Sequence, residues 1–367
     1  MGSRFGDPAR IDAVARKLAM SLIHGGDLYS ASKRFGRPIN DWLDLSTGIN
    51  VHSYPIPTIA PPAWQRLPYL EPQLLQAAQH YYGSDHVLLT AGSQAVIERL
   101  PEILHQQGNR LCALLPDIGY QEHHRAWGLQ TTVITYSGLI DASAQISDLL
   151  NQPNVGHLVL INPNNPTGST YGPDQIRTWA QQLAKKQGYV VVDEAFIDCQ
   201  PQHSVMTQDM PDNVLVLRSF GKFFGLAGIR LGAMIAPPRL RQQMTNIMGP
   251  WCVNGPAQAI ATEAFQNLAW QQSMVQQLQL EQGQQRALWQ DFLLRIGTRL
   301  QADTPLFRSF LLPATQAEDL HTLGAKAGIL VRPVPITETT TLVRVGNIDL
   351  TNQPHLDRCR AWQISIG

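Results

Sequence analysis

Arg218-Ser219-Phe220-Gly221-Lys222-Phe223-Phe224-Gly225-Leu226-Ala227-Gly228-Ile229-Arg230 follows directly on an apolar run, Val214 to Leu217. A lysine in that position can form a Schiff base with a carbonyl compound. Ser219 stands three residues before Lys222 and Arg230 eight after it. A hydroxyl and a guanidinium so placed suit one phosphate group, the arginine in bidentate fashion. A lysine after a strand is more often merely solvated, so the reading turns on what stands at the other strand ends.

Working outward, short apolar runs alternate with helical stretches. Val87 to Thr90, Leu111 to Leu115, Thr131 to Thr135, His157 to Ile161, Tyr189 to Val192, Val214 to Leu217 and Leu231 to Ala236 read as strands. Several are apolar on both faces, as a buried, mostly parallel sheet requires. Pro173 to Gln187 reads as a helix, with proline near its start and Gly188 at its end. The expected class is α/β, a large domain with a mostly parallel seven-stranded sheet, and ligands in such sheets sit at the carboxyl ends of strands.

Four further segments fall at such ends. Gly92-Ser93-Gln94 opens a helix whose free N–H groups and dipole suit phosphate, although a plain N-cap serine reads the same way. Tyr120, in Pro116 to Tyr120, can stack on an aromatic ring or fill a core. Asn165 lies in Asn162-Pro163-Asn164-Asn165-Pro166-Thr167-Gly168, where two prolines and a glycine fix an irregular backbone. Asp193, in Val192-Asp193-Glu194-Ala195-Phe196, puts a carboxylate where it can hold a pyridine nitrogen protonated.

Composition bounds the partners. The chain has 367 residues, 44% hydrophobic, with 28 basic and 28 acidic residues, which fits one large and one smaller domain. The neutral balance points to neither nucleic acid nor a polybasic membrane contact, and no apolar run approaches a membrane span. The four cysteines, Cys112, Cys199, Cys252 and Cys359, form no CxxC pair; they suit reduced thiols of a cytoplasmic protein, and no metal site is expected. Residues 1–20 read as an N-terminal extension, or as an upstream start before Met20. Residues 21–55 read as an arm joining a small domain, 56–255 as the large domain, and 256–367 as a small α+β domain. In the last, Gln258 to Leu300 is helical in pattern, and Ile329 to Val331 and Thr341 to Val345 read as strands.

Together these segments resemble the fold-type I pyridoxal-phosphate enzymes of the aspartate-aminotransferase-like superfamily. The resemblance covers residues 20–367 and rests chiefly on Asn164 to Gly168, Asp193 to Phe196 and Ser219 to Arg230. It implies that Lys222 carries the cofactor, Asp193 pairs with its pyridinium, Tyr120 stacks on its ring and Asn165 meets its ring oxygen. Gly92, Ser93, Gln94, Ser219 and Arg230 would hold the phosphate. Such enzymes are homodimers, and Tyr69 matches the tyrosine that reaches the neighbouring subunit's cofactor phosphate.

Within that superfamily, Arg344 matches the arginine that binds the substrate carboxylate. Arg332 resembles the extra arginine of the histidinol-phosphate aminotransferase branch. His24-Gly25-Gly26, the Ser46-Thr47-Gly48-Ile49-Asn50 segment and Phe196, where aminotransferases usually carry tyrosine, resemble the L-threonine-O-3-phosphate decarboxylases of cobalamin biosynthesis. By that resemblance His24, the glycine N–H groups and Arg332 bind the substrate phosphate, and Gly48 approaches the carboxylate. The implied products are CO2 and (R)-1-amino-2-propanol O-2-phosphate. The alternatives are transamination of a small phosphorylated amino compound and a ligand-sensing regulator. For the regulator, the residues before Ser21 are too few for a three-helix DNA-recognition module.

Overall fold

The computed structural model describes residues 24–106, 111–207 and 209–366; the reading of residues 1–20 lies outside them. In chain order the strands are β1 (Leu43–Asp44), β2 (Val87–Thr90), β3 (Cys112–Pro116), β4 (Val133–Tyr136), β5 (Val155–Ile161), β6 (Tyr189–Asp193), β7 (Val214–Ser219), β8 (Gly232–Ile235), β9 (Leu300–Asp303), β10 (Phe307–Pro313), β11 (Ile329–Leu330), β12 (Arg332–Pro335) and β13 (Thr340–Gly346).

Seven of them form one sheet in the order β2-β8-β7-β6-β5-β3-β4. β3 to β7 run parallel, and β8 lies antiparallel to both β7 and β2. The double-sided apolar pattern has the consequence expected of it. Leu158, Leu160, Val190, Val192 and Val216 point into one core, and Val159, Val191, Leu215 and Leu217 into the core on the other face. All seven residues of β5 are buried. Each fully buried aliphatic side chain contributes about 1.5–3 kcal/mol, so the strand ends are held by a stiff, two-sided platform.

The helical stretch after Pro256 is not continuous. It divides into Gly255–Gln266 and Leu268–Arg295, and Leu300 already belongs to β9. The break is at Asn267, whose side chain accepts from the Trp270 amide and starts the second helix. Ala257, Ala261, Ala264 and Phe265 of the first helix, with Met274 and Leu278 of the second, share the core beneath the large sheet.

β12, β13, β10 and β9 form a second, antiparallel sheet in that order. It packs with Trp289, Phe292 and Trp362 in a separate core. β1 pairs in parallel with β11, and the Gly346 amide donates to Leu45. The N-terminal arm is thereby pinned where β13 ends, bringing residues 24–26 and 46–48 to the mouth of the large sheet. Among the described residues no helix is long and apolar enough to cross a membrane.

Candidate active site

The carboxyl ends of β2, β3, β5, β6 and β7 converge on one pocket. Gly92, Ser93, Gln94, Tyr120, Ile161, Asn165, Asp193, Ala195, Phe196, Ser219, Lys222 and Arg230 line it. A larger hollow of about 750 Å³ lies at the other end of the sheet, beside Gly83, Val214 and Ile235. It contains neither a lysine nor an arginine, and we place the chemistry in the smaller pocket.

Lys222 sits in the single helical turn Phe220–Phe223 after β7, its Nζ 5.6 Å from the centre of the Phe196 ring. Burial, then the positive charges of Arg344 and Arg230, push its pKa down to about 8. The same chain therefore places a lysine and makes its amine a better nucleophile near neutral pH.

Asp193, the last residue of β6, is buried. Its Oδ2 meets His123 Nε2 at 2.9 Å, and its Oδ1 accepts from the Ala195 amide. His123 is equally buried and went unnoticed in the sequence. Its signal was position: three residues beyond Tyr120, in the helix Glu122–Gly128 that leaves the end of β3. Tyr120 itself donates its hydroxyl to Gln94 Oε1 at 2.9 Å. Burial, reinforced by Glu122 and Asp193, raises its pKa to about 12, so it stays a neutral donor.

At the helix Ser93–Gln106, Gly92 adopts φ +77°, and a methyl group added there would sit 2.7 Å from Arg230 Nη2. Only glycine lets the guanidinium lie against this helix start. Arg230 is itself in the left-handed region, φ 59°. Ser219 makes no capping hydrogen bond with its side chain and lines the same pocket. Serine, guanidinium and helix N-terminus therefore meet at one point, as anion binding requires.

On the opposite wall stand the residues from β12, β13 and the arm. Arg344 is buried; its Nη1 donates to Asn165 Oδ1 and its Nη2 to the Ser46 carbonyl. Arg332 pairs with Arg344 in register across β12–β13. Burial and then the Arg332 charge push Arg344 down to about 9, and burial lowers Arg332 also. Arg332 Nη1 and Arg344 Nε have no hydrogen-bond partner. A buried and a half-buried cation, each with an unsatisfied donor, make a site for an anion.

Gly25 fits under Arg344 because a side chain there would collide with the Ser46 carbonyl. The Gly26 amide donates to Ser46 Oγ at 2.7 Å, and Asp44 Oδ1 accepts from the Ser46 amide at 2.8 Å. Gly48 lies against Phe196: an added methyl would stand 2.8 Å from its Cε1. His24 is bonded to Glu122 at 2.8 Å, with its ring 5.8 Å from that of Tyr120. Tyr69 lies apart from this cluster. It is 68% exposed beside Trp251, with Trp64 and Leu67 also exposed nearby in sequence.

A family model described as aminotransferase class I and II matches residues 62–346. The chain belongs to that family. Among its relatives is the threonine-phosphate decarboxylase of Pseudomonas aeruginosa, 39% identical over 85% of this chain and 89% of that protein. A histidinol-phosphate aminotransferase of Yersinia enterocolitica is 26% identical over 96% of this chain and 89% of that one. In fold, this aminotransferase-family chain is similar to the histidinol-phosphate aminotransferase of Sinorhizobium meliloti solved with pyridoxal-5'-phosphate. The TM-score is 0.73 at 18% identity, covering 100% of this chain and 98% of that one.

Pyridoxal phosphate fits the residues present. The lysine amine of lowered pKa lies across the pocket from a buried carboxylate with a fixed partner, and the glycine-lined helix start holds Arg230 against the anion position.

Proposed function

We propose that the chain is a pyridoxal-phosphate-dependent decarboxylase of L-threonine O-3-phosphate, giving CO2 and (R)-1-amino-2-propanol O-2-phosphate in cobalamin biosynthesis. The observation that carries the reading is the Arg332–Arg344 pair with its unsatisfied N–H groups, Arg344 standing near enough to Lys222 to depress its pKa. A substrate with a carboxylate and a phosphate neutralises both cations; an ordinary amino acid leaves one of them unpaired. The 39% identical decarboxylase relative favours the same chemistry.

Lys222 would hold the cofactor covalently, Asp193 its ring nitrogen, Tyr120 its ring face and Asn165 its ring oxygen. Gly92, Ser93, Gln94, Ser219 and Arg230 would hold its phosphate. When bound, the cofactor supplies an electron sink for the pair left as the Cα–carboxylate bond breaks.

The remaining work falls to the protein. Arg344, fixed by Asn165 and Ser46, holds the substrate carboxylate in one direction, which decides which Cα bond breaks. Arg332, His24 and the Gly25 backbone take the phosphate, the Gly26 amide being engaged by Ser46 Oγ. Asp193, oriented by His123 at 2.9 Å, would hold a proton on the ring nitrogen. Lys222, released on substrate binding, has a pKa suited to delivering a proton to Cα. Phe196 contributes a wall without a donor, and with Gly48 and Phe307 it excludes water from that face.

We further read the protein as a cytoplasmic homodimer in which Tyr69 reaches the partner's cofactor phosphate; its exposure beside Trp251 supports that reading. Comparing turnover of L-threonine O-3-phosphate with transamination of histidinol phosphate by 2-oxoglutarate tests the proposal. A decarboxylase is selective for the former, and a preference for the latter would refute the reading.

A further inference from the structure

Glu122 is only 7% exposed, at the start of the helix Glu122–Gly128, and both of its oxygens are engaged. Oε1 is 2.8 Å from His24 Nε2, and Oε2 accepts from Arg125 Nε at 2.6 Å. Arg125 in turn reaches Glu98 at 3.1 Å. Burial raises the Glu122 pKa, but the hydrogen bonds from Arg125 and His24 outweigh it and the net shift is downward. The group is therefore a carboxylate, and a carboxylate only accepts.

That single fact constrains His24. Its Nε2 must carry the hydrogen given to Glu122, so Nδ1 is the nitrogen left for a ligand. Nδ1 donates to an anion when the ring carries both protons. Arg125 and Glu98 fix the carboxylate from behind, and the Tyr120 ring stands beside the imidazole.

We propose that Glu122, held by Arg125, is a positioning residue that orients His24 so that its Nδ1 side meets the phosphate of the substrate. The inference rests on the functional reading above. It makes phosphate recognition depend on a hydrogen-bonded relay from the helix Glu122–Gly128 to the N-terminal arm, in addition to the arginines of β12 and β13.

The test uses the cofactor-loaded enzyme with L-threonine O-3-phosphate, and calorimetric binding of inorganic phosphate as a second readout. Glu122→Gln keeps the acceptor and removes the charge. It should raise KM, and the phosphate Kd, by about tenfold, the worth of a charge-assisted hydrogen bond, with kcat within about twofold. In a His24→Ala background the same substitution should change KM by less than about twofold, because coupling is lost with the partner. Equal effects of Glu122→Gln in both backgrounds, or unchanged phosphate affinity, would overturn the inference. A wild-type enzyme that neither turns over the substrate nor binds phosphate would overturn the functional reading and this inference with it.

Discussion

Arg332 and Arg344 stand directly opposite each other on β12 and β13, Arg344 buried and Arg332 half-buried, each with a guanidinium nitrogen lacking a partner. Like charges placed so across a ladder repel by up to about 1 kcal/mol. The arrangement costs the folded state something until an anion arrives.

Arg332→Gln should therefore act in opposite directions on stability and function. Without ligand the variant should be about 0.5 kcal/mol more stable than wild type, since the cross-strand repulsion is relieved. Its KM for the phosphorylated substrate should rise about tenfold or more, from the loss of a charge-assisted hydrogen bond. Wild-type protein should melt higher with added phosphate, because the anion binds only the folded state, and the variant should lose most of that gain. Thermal melts with and without phosphate, beside steady-state kinetics, check both.

Lys222 has a pKa near 8 against an ordinary 10.5. Between these values the unfolded chain holds a proton that the folded chain lacks, so this group's contribution to stability rises with pH through that window. Capture of pyridoxal phosphate by the cofactor-free protein needs the neutral amine, so its rate should climb with pH to a plateau with a midpoint near 8. Arg344→Gln removes one of the charges that depress the amine, and its midpoint should move upward. Lys222→Ala should show no visible absorbance of lysine-bound cofactor and no turnover. Stopped-flow absorbance across a pH series reads all three.

His123→Ala leaves the buried Asp193 carboxylate without its 2.9 Å partner. An unsatisfied buried group of this kind costs about 1–3 kcal/mol. We expect kcat to fall about tenfold or more, with KM for substrate little changed, since His123 touches no substrate-binding residue. Denaturant melts and kinetics on the same preparation separate the structural cost from the catalytic one.

Most of the large sheet was legible because its signal is local: apolar runs buried on both faces, each ended by punctuation or a polar residue. The strand boundaries moved by only a few residues, as when Thr131–Thr135 became Val133–Tyr136. The break at Asn267 was not read, because a glutamine-rich stretch keeps a helical pattern through it and only the side-chain cap separates the two helices. In the pocket, residues at strand ends were legible for the same local reason. His123, Glu122 and Ser46 were not, because their roles rest on partners 70, 98 and 298 positions away, namely Asp193, His24 and Arg344. Short motifs carry backbone geometry and nucleophiles; they do not carry long-range pairings.

Bond cleavage at Cα removes the substrate's carboxylate as CO2. The most direct measurement is CO2 release from L-threonine O-3-phosphate by the pyridoxal-phosphate-loaded protein with no oxo acid present. We expect many equivalents of CO2 per active site, matched by 1-amino-2-propanol phosphate. Absence of CO2, with the cofactor converted instead to its amine form after a single turnover, would contradict it.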